Sequence, residues 1–193
     1  MGLYKYLSKI WQDNRAETKG ILKERLIKWR KEPAITAVGK PTRLDKARRV
    51  GYKAKQGITI ARVRIATGGR QRRSLSKGRK PKRYGMRKFS PVRSLQAIAE
   101  QRASKKFPNM EVLNSYYVAE DSKSKWFEVI IVDKHHPAIM NDKDISWITN
   151  VRGRAERGLT SAGKKSRGSR RNVAKAKPKR SKKEKSRIKK RRG

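Results

Sequence analysis

Apolar residues in this chain recur at two spacings, separated by long polar tracts. Leu3, Leu7, Ile10 and Trp11, then Leu22, Leu26 and Trp29, follow the three-to-four-residue interval of one helix face, and Glu32-Pro33 ends the second run. Two N-terminal helices packed on a body are expected. Ser90-Pro91 reads as an N-cap with proline at the first helical position, and Leu95, Ile98, Ala99 and Ala103 continue at helical spacing. This predicts a helix from about Pro91 to Lys106, stopped by Pro108-Asn109. Val112 to Val118 and Trp126 to Val132 are β-rich runs joined by the polar stretch Ala119 to Lys125, the pattern of a hairpin with a long loop. Ile58 to Ile65 is a third strand, with Thr59, Ala61, Val63 and Ile65 facing a core and Arg62 and Arg64 facing away. Thr42-Arg43-Leu44-Asp45 resembles a capping box, and Gly51 is placed to end that short helix in a left-handed conformation, leaving Lys46 and Arg49 on its exposed face. Gly68 to Arg87 and Gly153 to Gly193 have almost no apolar residues and are expected to order only on a partner. The fold class that follows is α+β: a small antiparallel sheet packed with helices, long basic extended loops and a basic C-terminal tail.

Charge changes the picture more than composition does. The 193 residues carry 56 Lys+Arg against 15 Asp+Glu, net +41. Residues 1–35 hold net +5, 36–93 net +19, 94–150 net −1 and 151–193 net +18. The sequence therefore divides into N-terminal helices (1–35), a basic segment with one strand (36–93), a neutral α+β core (94–150) and a basic extension and tail (151–193). Most of the core belongs in the neutral block. The basic blocks need a polyanion, and phosphate backbone is the first choice because each neutralised phosphate releases counterions. Cysteine is absent, so disulfides, thiolate zinc sites and a cysteine nucleophile are excluded. The segment Met1 to Trp11 lacks a signal-peptide run and no stretch reaches membrane-span length, so a soluble, intracellular protein is expected.

Enzymatic motifs fare poorly. Gly158 to Lys165 matches a phosphate-binding loop until Lys165 replaces the Ser or Thr that would hold magnesium, and Arg152 to Arg157 cannot be the buried strand that precedes such a loop. His135 and His136 are adjacent, so on an extended segment they point apart and make a poor metal pair. A strand-end turn with Pro137 is the better account. Glu120, Asp121, Asp142 and Asp144 read as solvated loop carboxylates. The basic stretch of residues 36–93, with one acid among 20 bases and Tyr52 and Tyr84 interleaved, reads as nucleic-acid contact. The candidate RNA-binding residues are Arg43, Lys46, Arg48, Arg49, Tyr52, Lys53 and Lys55. To these are added Arg70, Arg72, Arg73, Lys77, Arg79, Lys82 and Arg83, then Arg152, Arg154, Arg157, Lys164, Lys165, Arg167, Arg170 and Arg171. Tyr52 has two open roles, stacking on an unpaired base or packing beneath the helix. Trp11, Trp29, Trp126 and Trp147 are expected to serve mainly in packing.

The stretch Pro41-Thr42-Arg43-Leu44-Asp45-Lys46-Ala47-Arg48-Arg49-Val50-Gly51-Tyr52-Lys53-Ala54-Lys55-Gln56-Gly57 resembles the signature of the archaeal and eukaryotic ribosomal protein fifteen-e family. Tyr4-Lys5-Tyr6, Val112 to Tyr116, Phe127 to Ile130, Asp133 with His136 to Ile139, Trp147-Ile148, and Arg157 to Thr160 with Ala162-Gly163 extend the resemblance in family order over residues 1–168. The last 25 residues depart from it, and the compact insert from Thr67 to Lys88 looks closer to the archaeal form. The resemblance implies a structural protein of the large ribosomal subunit, bound to large-subunit ribosomal RNA and to neighbouring ribosomal proteins, in the cytoplasm. It implies no cofactor, small-molecule substrate or homo-oligomer. The rivals are a DNA-compacting chromatin-type protein, and an RNA-modifying or nucleotide-hydrolysing enzyme.

Overall fold

The computed structural model describes residues 2–13, 16–69 and 91–169. Expectations for residues 70–90 and 170–193, including the Ser90 cap, lie outside the described residues.

Trp126 to Val132 is buried at every position. A strand covered on both faces needs apolar residues in succession, and this run supplies them with the single exception of Glu128. Accordingly β4 (Ser124–Asp133) lies inside the sheet, antiparallel to both β2 (Ile58–Ala66) and β3 (Met110–Glu120). A fourth strand, β1 (Ile35–Val38), pairs with β2 and gives the order β1-β2-β4-β3. Its four residues are too few to display alternation, which is why the sequence pattern missed it.

The expected long hairpin loop is shorter than read. Asp121 accepts hydrogen bonds from the backbone N–H groups of Lys123 and Ser124 (2.8 and 2.6 Å), a side-chain mimic of a turn. Ala119, Glu120, Ser124 and Lys125 are thereby released into the ladder, with Glu120 opposite Lys125.

One face of the sheet presents Ala61, Val63 and Ile65 of β2, as the alternation predicts, beside Phe127, Val129 and Ile131 of β4. Helix α4 (Leu95–Lys106) covers them with Ala99 and Ala103, whose small side chains permit close approach. This helix begins four residues later than Pro91. Ser94 is its N-cap, accepting from the Ala97 N–H at 3.2 Å, and the Ser166 hydroxyl accepts from the Ser94 N–H at 3.0 Å. That tertiary support fixes the start where the proline does not.

The opposite face carries Ile60, Trp126, Ile130 and Val132. It is covered by Leu26 and Trp29 of α2 (Ala16–Lys31), Ala47 of α3 (Leu44–Arg49), Tyr52, Ile139 of α5 (Pro137–Met140) and Ile148 of a 3-10 turn (Ser146–Ile148). The rings of Trp29 and Trp126 meet at 6.3 Å. His136 caps α5, its Nδ1 accepting from the Ala138 N–H at 3.1 Å ahead of Pro137, which matches the expected turn.

Two packing expectations need correction. The first N-terminal helix, α1 (Leu3–Gln12), buries none of its residues, and Leu3 and Ile10 are exposed although they belong to its apolar stripe. Trp29 and Trp126 are core residues, but Trp11 is half-buried and Trp147 is 45 % exposed. The Trp147 indole instead donates to the Asp144 carbonyl at 3.0 Å and has the Arg154 guanidinium 4.6 Å from its ring centroid.

Candidate nucleic-acid interface

Helix α3 stands on the sheet through a buried carboxyl rather than through a capping box. The backbone N–H and hydroxyl of Thr42 donate to Glu128 at 3.0 and 2.5 Å, and the Tyr116 hydroxyl donates to the same group. Arg43 occupies the N-cap position with no side-chain cap, since a guanidinium has no acceptor, and it holds Asp45 at 3.0 Å, so that carboxylate does not complete a capping box. The far end behaves as read. Gly51 has φ +102°, in the region that disfavours a side chain, and the Tyr52 N–H closes onto the Ala47 carbonyl at 2.9 Å. Tyr52 is 8 % exposed within the core, so packing is the role the fold gives it.

The cations of this segment separate into free and committed groups. Arg48 and Arg49 are exposed, with Arg48 lying 5.9 Å from the Tyr52 ring centroid. Arg43 is buried, ion-paired to Asp45 and stacked over Trp11 at 4.8 Å. Lys46 is half-buried over Tyr117 at 5.7 Å rather than exposed; burial, then the neighbouring Arg43 charge, holds its amine below the usual lysine range. Lys53 pairs with Asp144 (2.7 Å) and Asp142 (3.2 Å), and Lys55 with Asp142 (2.9 Å). The hydrogen bond from Lys55 leads the effects that hold Asp142 far below the usual carboxylate range, and the bond to Asp144 leads those that raise Lys53. The loop carboxylates are therefore not merely solvated. Asp121 also takes Arg30 at 2.8 Å, and Glu120 takes Lys125 at 2.5 Å.

The second basic segment folds further than its composition suggested. Gly153 to Ser169 follows the body through turns and α6 (Ser161–Ser166), burying Ala155 and Ala162. Glu111 accepts from the Gly153 and Arg154 N–H groups, both at 2.8 Å. Glu100 accepts from the hydroxyls of Ser115 and Thr160, both at 2.5 Å, while Thr160 caps α6 by accepting from the Gly163 N–H at 3.1 Å. Burial pushes the Glu100 carboxyl above its ordinary range, opposed by those two hydroxyls and by Arg154. Arg152, Arg157, Lys164, Lys165 and Arg167 are exposed. Arg154 is turned inward, donating to the Val112 and Leu113 carbonyls at 2.8 and 3.0 Å; burial lowers its pKa against the opposing pull of Glu111 and Glu100. Arg70, Arg72, Arg73, Lys77, Arg79, Lys82, Arg83, Arg170 and Arg171 lie outside the described residues.

Residues 2–187 match the family model described as Ribosomal L15. The chain belongs to that family. Among its relatives, the large ribosomal subunit protein eL15 of Methanocella arvoryzae is 55 % identical over 171 residues, covering 87 % of each chain. The large ribosomal subunit protein eL15 of Metallosphaera sedula is 50 % identical over 167 residues, covering 86 % of this chain and 77 % of its own. Both relatives are archaeal, in keeping with the form read from the compact insert.

In this member of the ribosomal L15 family, the glycines of the broken phosphate loop have a packing role. A Cβ on Gly163 would lie 2.7 Å from the Gly158 backbone, so the two glycines let the loop and α6 touch. Gly163→Ala is expected to cost about 1 to 3 kcal/mol by forcing backbone apart. Chemical denaturation measures it, and an unchanged midpoint would show that the close approach is not needed.

Sequence reasoning missed Glu100, Glu111 and Glu128, the carboxyls that fasten both basic segments to the neutral body. Only Glu128 left a signal, as a lone acid inside the apolar run Trp126 to Val132. Among the described residues no helix is long and apolar enough to cross a membrane.

Proposed function

We propose that this chain is a structural constituent of the large ribosomal subunit, ribosome-bound in the cytoplasm, that binds and stabilises folded large-subunit ribosomal RNA beside neighbouring ribosomal proteins. It performs no chemistry. The observation that carries the RNA-facing assignment is the division of its cations. Arg48 and Arg49 on α3, and Arg152, Arg157, Lys164, Lys165 and Arg167 around α6, stay exposed on segments that buried glutamates already hold in shape. Donors ordered before the partner arrives lower the entropy cost of binding, and each phosphate they neutralise releases counterions. Arg43, Arg154, Lys53 and Lys55, being committed within the protein, contribute chiefly to the shape of that surface. The basic residues of 70–83 and 170–171, which lie outside the described residues, add positive charge for the same polyanion. Family membership favours this reading over DNA compaction.

Co-sedimentation tests the assembly: the protein should migrate with large subunits at moderate salt, and migration with DNA instead would overturn the reading. A paired substitution tests the interface. Arg48→Ala with Arg49→Ala should weaken binding to ribosomal RNA and flatten its salt dependence by about 0.7 to 0.9 in log–log slope for each phosphate no longer neutralised. Lys53→Ala with Lys55→Ala should change the slope much less. Equal flattening by both pairs would show that the Asp142 pairing does not withhold Lys53 and Lys55.

A further inference from the structure

Helix α1 is amphipathic yet buries none of its residues, and its polar side faces α3 across an open cleft of about 980 Å³. Tyr4, Lys5, Tyr6 and Lys9 line one wall and Arg48 and Arg49 the other. Among the described residues no aliphatic side chain lines it, so its apolar part is made by the tyrosine rings and the stems of the basic side chains. The tyrosines are 43 % and 56 % exposed, which leaves ring surface open to a partner. Of the two carboxylates on the wall, Asp45 is already neutralised by Arg43 at 3.0 Å, which leaves Asp13 against four cations. The walls meet where the Arg43 guanidinium from the start of α3 lies over Trp11 of α1 at 4.8 Å.

The geometry points to a binding site for unpaired RNA in this cleft, with phosphates on Lys5, Lys9, Arg48 and Arg49 and a splayed base stacked on Tyr4 or Tyr6. The inference rests on the reading of the chain as an RNA binder and names the form of RNA this part of it takes. Bases within a duplex are stacked and paired, so a tyrosine ring has no face to meet there; single-stranded loops and bulges present one. A cleft that brings cations for the phosphates together with aromatic rings for the bases, as Lys5, Lys9, Arg48 and Arg49 stand beside Tyr4 and Tyr6, is the arrangement that single-strand binding uses. The combination matters physically, since the cations alone would serve any polyanion and the rings alone any apolar surface. The charge of an acidic protein segment would also suit the cleft, but such a segment has no base to place against the two rings.

The test uses the full chain and a short single-stranded oligoribonucleotide carrying 2-aminopurine, with the same sequence in a duplex as control. Tyr4→Ala with Tyr6→Ala should abolish the stacking-dependent quenching of the probe and weaken single-strand binding about 5- to 150-fold, leaving the salt slope unchanged. Alanine is the best helix former, so α1 survives the change, which circular dichroism checks. Tyr4→Phe with Tyr6→Phe should behave as the unsubstituted protein because the rings remain. Lys5→Ala with Lys9→Ala should flatten the slope by about 0.7 for each phosphate released while quenching persists. Unchanged quenching and affinity in the Tyr-to-Ala variant would overturn the proposal. So would photocrosslinks from Tyr4 or Tyr6 that fall on protein rather than RNA in the assembled subunit. Failure of the unsubstituted protein to enter large subunits would instead overturn the ribosomal reading, since the oligonucleotide measurements need no ribosome.

Discussion

Trp126→Ala is expected to lower stability by about 3 to 5 kcal/mol, among the largest losses a single substitution in this chain can cause. The ring is 1 % exposed, at the sheet position where α2 crosses, and touches Trp29 at 6.3 Å. Its removal leaves a cavity beneath α2, whose buried apolar anchors are Leu26 and Trp29. Trp147→Ala provides the contrast. That ring is 45 % exposed and its principal partner is the Arg154 guanidinium, so the expected loss is about 1 kcal/mol or less. Denaturant titration of both variants decides the matter. Equal losses would mean that burial does not separate the two rings.

The second large effect is expected at Glu128. Alanine at this fully buried position removes the common acceptor of the part-buried Thr42 N–H and hydroxyl and of the buried Tyr116 hydroxyl. An orphaned buried donor costs about 1 to 3 kcal/mol and a part-buried one less, so about 3 to 5 kcal/mol in total is expected. Glu128→Gln retains one oxygen acceptor and should lose less. The consequence extends beyond stability, because this carboxyl fastens the start of α3 to the sheet. Amide hydrogen exchange should therefore accelerate between Thr42 and Gly51 in the alanine variant. Unaltered exchange there would show that α3 is held by its apolar neighbours alone. Tyr116 remains a donor through ordinary alkaline conditions, since burial, followed by the Glu128 charge, raises its phenol far above the usual range.

Much of the architecture was legible in the chain. The apolar run Trp126 to Val132, the alternation in Ile58 to Ile65 and the helical spacing of Leu95 to Ala103 are local periodicities, and each produced its element. Errors arose where a local signal met a tertiary competitor. Ser90-Pro91 has the form of a helix start, but Ser94 supported by Ser166 is where α4 begins. Thr42 and Asp45 have the spacing of a capping box, but Glu128 and Arg43 engage them first. The segment after Gly153 has too little apolar surface to fold alone, yet Glu100 and Glu111 hold it through its hydroxyls and backbone amides.

The sequence by itself determined the α+β class, the central strands, the family signature and the polyanion-seeking charge, because periodicity and charge density are properties of neighbouring residues. Only the tertiary structure decided which cations are free to meet that polyanion. Lys53 meets Asp142 across a separation of 89 residues, and Thr42 meets Glu128 across 86. An ion pair or buried hydrogen bond forms between groups that the whole fold brings within about 3 Å, and no local pattern along the chain encodes that distance.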